Sequence, residues 1–361
     1  MSGNPPSGAP LLEEPARRIP ARHGQRNPLD PRRPYAFFIE TERAASGEIV
    51  PITTIFLTNR ECPWRCVYCD LWKNALEESV PPGAIPEQID FALARLVKSG
   101  AAVPAACPDY LSSLLHRDLT DAAGTAVPLC AESCRPHLKL YNAGSFFDAR
   151  AIPPEDYPAI AERARGFAHL VVECHPALVN ERVLRFRDLL PPGVTLEVAM
   201  GLETANREVL GRLNKGMTLE DFARAAALLR LNGIAQRSFI LVKPPFESDE
   251  SSALRWAKRS IDFAFDCHTS VAVLIPMRVG DGALEGMARQ GDCAPPALAT
   301  IEAALDYGIG LRRGRVFADV WDLAKCAHCE ACLPARRERL TKANLQQRLD
   351  EPVRCGRCGN G

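Results

Sequence analysis

The sequence predicts an α/β fold in which strands and helices alternate along the chain, so that a parallel sheet is covered by crossover helices. Three observations carry that expectation. From residue 137 onward, short apolar runs rich in Val, Ile and Leu alternate with longer stretches whose apolar residues recur at helical spacing. Each run passes into a loop that opens with small or polar residues, as the carboxyl end of a parallel strand does. An apolar run at 49–57 also delivers the chain to a loop with three cysteines, Cys62, Cys66 and Cys69. With 361 residues and 47% hydrophobic content, the chain can bury one large α/β core and carry small appendages.

Residues 1–34 are rich in Pro, Arg, Gly and Asn, lack apolar periodicity, and are expected to be disordered or loosely draped. Apolar runs at 35–39 and 49–57 follow, the second being the strand before the cysteines. Residues 85–99 have helical spacing and stop at Gly100. Residues 101–136 break the rhythm with several prolines and read as an insertion; Cys130, Cys134 and His116 there form a weak metal signal. Strands are then expected at 137–141, 170–174, 194–201, 237–242 and 270–275. Helices are expected at 153–165, 178–190, 205–213, 219–231, 253–265 and 297–307, with a last short strand at 315–320. Prolines fall in the first turn of the 153–165 helix, where a missing N–H is harmless, and Asn232-Gly233 stops the 219–231 helix. Counting the strand before Cys62, six strands alternate with helices through right-handed crossovers. The expected organisation is a 1–34 segment, a 35–320 core and a Cys-rich metal-binding tail at 321–361.

Lys+Arg and Asp+Glu are both 44, so no global charge steers the chain to nucleic acid or membrane, although a local basic patch stays open. No run of about 18 apolar residues is present, and the N-terminus has no signal-peptide core. The expected location is the cytoplasm, with no membrane partner. In a reducing compartment, fourteen cysteines read as metal ligands or buried groups more than as disulfides. Eight of them cluster, at 62–69 and 326–358.

Three thiolates are one too few for a closed tetrahedral zinc site. They suit a four-iron cluster whose fourth iron is open to a small molecule. A zinc loop borrowing a distant fourth ligand, or three unrelated buried thiols, are the alternatives. In a parallel sheet of this kind chemistry gathers at the carboxyl ends of strands. That singles out Asn142, Ala143, Gly144 and Ser145, whose small size lets backbone approach a ligand. Phe146, Phe147 and Asp148 follow, Asp148 being also a candidate helix cap. Glu173 and His175 end the next strand, then Glu203, Lys243 beside Pro244-Pro245, and Arg278, which could hold an anionic group. In the tail, Cys326, Cys329, Cys355 and Cys358 are the simplest tetrahedral set, with Cys332 spare. Zinc and an auxiliary iron–sulfur cluster both remain open. Arg336, Arg337, Arg339, Lys342 and Arg348 lie between them and read as an RNA-contacting appendage or a solvated helix face.

The C-x3-C-x2-C spacing, with Tyr68 before the last cysteine, resembles the radical SAM superfamily. The resemblance implies a partial (β/α)6 TIM-like barrel, a [4Fe-4S] cluster on Cys62, Cys66 and Cys69, and S-adenosyl-L-methionine chelated at the open iron. Its reductive cleavage to a 5′-deoxyadenosyl radical is implied with it. The expected cofactor-binding residues are then Tyr68, Asn142, Ala143, Gly144, Ser145, Glu203 and Lys243. GLETANREVLGRLNKG resembles the subgroup of the elongator catalytic subunit, the methylthiotransferases and oxygen-independent coproporphyrinogen oxidase. Joined with LTNRECPWRCVYCDLWKN, LKLYNAGSFFD and LVKPPF, it resembles the archaeosine-synthase radical SAM family and its bacterial relatives. That implies a tRNA substrate, carbon–nitrogen cleavage of a lysine-bearing 7-deazaguanine, and an electron donor such as flavodoxin or ferredoxin. The alternatives are methylthiolation or another radical SAM reaction with a second cluster, and a non-enzymatic metal- or RNA-binding protein of the same fold. The sequence leaves the oligomeric state open.

Overall fold

The computed structural model describes residues 25–99, 135–247, 249–279 and 283–358. Of the expected insertion at 101–136, all but 135 and 136 lies outside the described residues, as do Cys130, Cys134, His116 and residues 1–24.

One sheet runs in sequence order: β1 (Ala36–Arg43), β2 (Ile49–Leu57), β3 (His137–Asn142), β4 (His169–Glu173), β5 (Thr195–Glu203), β6 (Ala235–Val242), β7 (Val271–Pro276) and β8 (Arg315–Ala318). β1 is antiparallel to β2, and every later pair is parallel. The six expected alternating strands are β2–β7, and the expected short last strand is β8. The helices are α1 (Ala84–Lys98), α2 (Tyr157–Arg163), α3 (Glu181–Leu189), α4 (Arg207–Arg212), α5 (Leu219–Leu231), α6 (Glu250–Asp266), α7 (Ala283–Arg289), α8 (Leu298–Gly310) and α9 (Leu333–Gln346). Local chemistry sets several starts. Thr218 and Asp221 form a reciprocal capping box on α5, while Asn180, Asn206 and Asp249 accept from the first amides of α3, α4 and α6. No described helix is long and apolar enough to cross a membrane.

Strand alternation divides the sheet into two faces. Leu138, Leu140, Leu170, Val172, Val198, Met200, Ile240, Leu274 and Val316 are fully buried against the helices in one continuous core. Phe146 and Phe147, which follow β3, join it by packing with Tyr157 and Phe186. The other face curves inward around a lumen. Tyr141 on β3 and Phe239 on β6 are not on neighbouring strands, yet their rings lie 6.0 Å apart across it. Phe38 and Phe56 continue this aromatic layer, with Trp321 against Phe38 at 5.3 Å. Toward the amino ends of the parallel strands, Glu42, Lys139, Glu197 and Arg237 form a buried ionic floor.

Two expectations change. The 1–34 segment is not uniformly loose: the Arg26 guanidinium donates to the Trp72 and Ala75 carbonyls at 2.7 Å each and pairs with Glu61. The Asn27 amide donates to the Lys73 carbonyl at 2.9 Å, so 25–34 is tied to the cysteine loop. The tail, in turn, contributes α9, which packs on both β1 and β8 and is part of the body.

Candidate active site

The cysteine loop leaves β2 and is tied to the opposite side of the barrel mouth. The Val67 amide donates to the Leu213 carbonyl at 3.0 Å, and the Asn214 side chain donates to the Trp64 and Arg65 carbonyls at 3.1 Å each. Trp64 stacks on His175 with ring centroids 3.7 Å apart. His175 is itself fixed: Nδ1 accepts from the Ala177 amide, so Nε2 carries the hydrogen and donates to the Lys215 carbonyl at 2.9 Å. Burial and the Lys215 cation push this imidazole down to about 3, so it is neutral and acts here as a brace.

The three cysteines are half-buried. Burial pushes the Cys62 thiol up to about 11 and raises Cys66 and Cys69, while the Lys215 cation works the other way on Cys62 and Cys66. Gly144 brings the loop after β3 against them. Its φ is +152°, and a Cβ added there would lie 3.3 Å from that of Cys62, tighter than packing ordinarily allows. Asn142 beside it is 1% exposed, yet neither the nitrogen nor the oxygen of its side-chain amide has a hydrogen-bond partner among the described residues. Thr58 Oγ1 and Asn59 Oδ1, just beyond Leu57 and therefore next to Asn142 in the sheet register, are in the same state. Ala143 is buried in the turn. Ser145 donates to Cys174 Sγ at 3.5 Å and accepts from the His175 amide, so its hydroxyl pins β4. Asp148 accepts from the Arg150 amide and guanidinium and caps that local turn, not a helix.

Sequence reasoning passed over Lys215, although it stands in the quoted string after β5. Its ammonium sits 2.5 Å from Glu203 Oε1, and both side chains are under 10% exposed. Glu203 reaches it from a left-handed backbone, φ +65°, at a register shift between Gly201 and Glu203. A side chain at Gly201 would run into both partners. The Tyr68 phenol lies against Cys66 and Glu203. Glu173 completes the group: Oε2 accepts from the Asn142 backbone N–H at 2.9 Å, and burial, with the Glu203 charge adding, pushes its carboxyl up to about 7.

Two expected mouth residues point elsewhere. Lys243, at φ +56°, pairs with Glu250 at 2.6 Å. Arg278 pairs with Asp319 at 2.5 Å and donates to the Trp321 carbonyl. On the outer side of the loop, a cavity of about 930 Å³ is lined by Arg26, Arg60, Arg65 and Arg150 together with Cys62 and two glutamates.

In the tail, the sulfurs of Cys329, Cys332, Cys355 and Cys358 all lie within 4.8 Å of one another and could hold a metal ion. This corrects the set built on Cys326, which is 3% exposed inside the apolar core. The repeated two-residue spacing made Cys326 and Cys332 interchangeable on paper. The basic stretch is also corrected. Arg336 pairs with Glu302 at 2.5 Å, Arg339 with Asp306 at 2.7 Å and Lys342 with Asp350 at 2.9 Å, so much of it is spent within the chain.

The sequence model of the radical SAM superfamily matches residues 56–257. An archaeosine synthase subunit beta from Thermococcus kodakarensis is 33% identical over 128 residues, covering 34% of this chain and 39% of that protein. One from Methanosarcina acetivorans is 29% identical over 169 residues, covering 45% and 48%. The chain thus spans less than half the length of either relative. Among solved structures, an Elp3 from Methanocaldococcus infernus with an N-terminal deletion is 16% identical, at a TM-score of 0.45 over 66% of this chain and 59% of that one.

Proposed function

The chain belongs to the radical SAM superfamily, enzymes that reductively cleave S-adenosylmethionine, and on that premise we propose that it modifies a tRNA base by carbon–nitrogen bond cleavage of the archaeosine type. The observation that carries the substrate reading is the aromatic lumen. Phe38, Phe56, Tyr141 and Phe239 are half-buried on its wall and Trp321 is 59% exposed at its edge, offering open ring faces to a planar base. The cavity beside Cys62 supports it as a phosphate-attracting rim, since its four arginines outnumber the two glutamates that line it and pair with Arg26 and Arg65, and so do the names of the two archaeosine synthase relatives.

The residues fit the cofactors the superfamily uses. Cys62, Cys66 and Cys69 offer three thiolates for a [4Fe-4S] cluster, and Lys215 offsets part of their charge. The unpartnered Asn142 amide is a buried donor and acceptor suited to the amino and carboxylate groups of S-adenosylmethionine, with Gly144 keeping the backbone close. Bound together, cluster and S-adenosylmethionine supply one-electron chemistry that removes hydrogen from an unactivated C–H bond. The chain's own part is positioning. Lys215 pairs with Glu203 and orients it, and a carboxylate there accepts well from ribose hydroxyls. Tyr68 and the stacked Trp64–His175 pair hold the loop rigid over the mouth and shield it from water. Glu173, raised toward neutrality, can keep or lose a proton at the substrate side. Flavodoxin or ferredoxin is the proposed electron donor, and the cytoplasm, where tRNA resides, the proposed location.

The test uses the full chain, reconstituted anaerobically and given reductant, S-adenosylmethionine and tRNA bearing the lysine-modified 7-deazaguanine. Formation of 5′-deoxyadenosine together with the formamidine nucleoside in the digested tRNA is expected. If 5′-deoxyadenosine forms but the nucleoside is unchanged, the substrate reading fails. If an intact cluster gives no 5′-deoxyadenosine even with tRNA, the catalytic reading fails too.

A further inference from the structure

We propose that Cys329, Cys332, Cys355 and Cys358 bind one zinc ion, and that this ion clamps α9 across the two free edges of the half-barrel sheet. Sulfur spacing decides the nuclearity. All four sulfurs lie within 4.8 Å of one another, and Cys329–Cys355 and Cys332–Cys358 are both at 3.9 Å. Four sulfurs each about 2.3 Å from a single ion stand about 3.8 Å apart in a tetrahedron. In a four-iron cluster each thiolate binds a different iron, and the cube holds the sulfurs much farther apart. The group therefore suits one ion, with a shell closed by protein ligands and no position for substrate. Tetrahedral thiolate sets take zinc or iron, and the divalent affinity order favours zinc.

The placement gives the ion its task. Cys332 is the N-cap residue of α9 and makes no side-chain bond to the helix's first amides; Cys329 precedes it by one turn. Cys355 and Cys358 arrive after the helix has ended, so the ion joins the segments on both sides of α9. That helix covers what would otherwise be open edge backbone, since β1 and β8 terminate the sheet. The Asn344 side chain accepts from the Ala318 amide and donates to its carbonyl, both at 2.8 Å. The Gln347 side chain does the same for Val316 at 2.7 Å. Two amide side chains thus stand in for a ninth strand on β8. On the β1 side, Arg43 donates to the Leu345 carbonyl at 3.2 Å. The apolar grip is thin: Arg339, Leu340 and Ala343 are the buried residues of this helix. A ligand that joins its flanks supplies constraint that apolar packing does not.

The whole chain, expressed with both metals available and reconstituted anaerobically, should contain about one zinc and about four irons. X-ray absorption at the zinc edge should show four sulfurs at about 2.3 Å. The Cys355→Ser/Cys358→Ser variant should lose the zinc and keep the irons, while Cys326→Ser keeps both. Stripping zinc from the wild-type chain with a chelator should speed hydrogen exchange at the Val316 and Ala318 amides about tenfold or more, and zinc should restore protection. About eight irons, or a single iron in the tail site, overturns the zinc assignment. Zinc that leaves with exchange unchanged overturns the clamp. The chelation experiment stands even if the serine variant does not fold.

Discussion

Glu203 and Lys215 show how one residue's value at this site depends on another's. Each is nearly buried, and together they form an ion pair of 2.5 Å beside Cys66 and Tyr68. Removing one partner leaves the other charged and without its counter-ion, which costs about 3–5 kcal/mol in buried pairs. Removing both leaves no stranded charge. We therefore expect Glu203→Gln and Lys215→Met each to lower the denaturant midpoint clearly, and the double variant to recover much of that loss. Activity should behave differently, because the carboxylate is assigned a contact with cofactor ribose. Stability would return in the double variant while 5′-deoxyadenosine formation stays at the level of Glu203→Gln. Chemical denaturation and product analysis on the four proteins check this, and a double variant that regains activity would remove Glu203 from the site.

At the scale of elements, the edge of β8 offers a measurable device. Because Asn344 satisfies both backbone groups of Ala318 and Gln347 both of Val316, truncating either strands a donor and an acceptor. Asn344→Ala should cost about 1–3 kcal/mol, the usual penalty for buried groups left unpaired, with the loss read from denaturant melts. A cost within error of zero would mean water replaces the amide freely. The same contacts explain what was legible. β2–β7 and α5 were readable because strand runs and the Asn232-Gly233 stop are local signals. α9 was not, because it is fastened by amides, arginines and thiols and shows little apolar periodicity. Asn142 and Gly144 were legible as a small-residue turn at a strand end. Lys215 was not, because its partnership with Glu203 depends on a left-handed backbone and a sheet irregularity that spacing does not reveal. Cys332 was displaced by Cys326 for a similar reason: both are buried, and only the folded positions of their sulfurs, not spacing, separate them.

For the molecule as a whole, the ionic floor of the barrel sets how it responds to acid. Arg237 reaches Glu42 at 2.5 Å and Glu197 at 2.5 Å, and Lys139 reaches Glu42 at 2.8 Å, all within the closed end of the lumen. Burial alone would raise both carboxyls, but Arg237, joined by Lys139 at Glu42, outweighs it and holds them well below the usual range. His137 lies beside this floor, facing His169, Glu42, Glu197 and Arg237; burial, with His169 adding, pushes it down to about 3 from 6.5. In both cases the unfolded chain binds more protons than the folded one, so stability falls with falling pH. The histidine contribution is lost between 6.5 and about 3, and the carboxylate contributions only below 4.5. Glu173 opposes this between 7 and 4.5, since its raised carboxyl makes the folded state the better proton binder there. We therefore expect three distinguishable melting-temperature profiles. The wild-type chain should lose stability gradually below pH 6.5, because His175, also held down to about 3, joins His137 against Glu173, and steeply below 4.5. His137→Gln should be flatter in the upper window and equally steep in the lower one. Glu173→Gln should be steeper in the upper window, because the opposing contribution is gone. If His137→Gln follows the wild-type profile throughout, the histidine is not held neutral by the floor, and the upper slope belongs to another group.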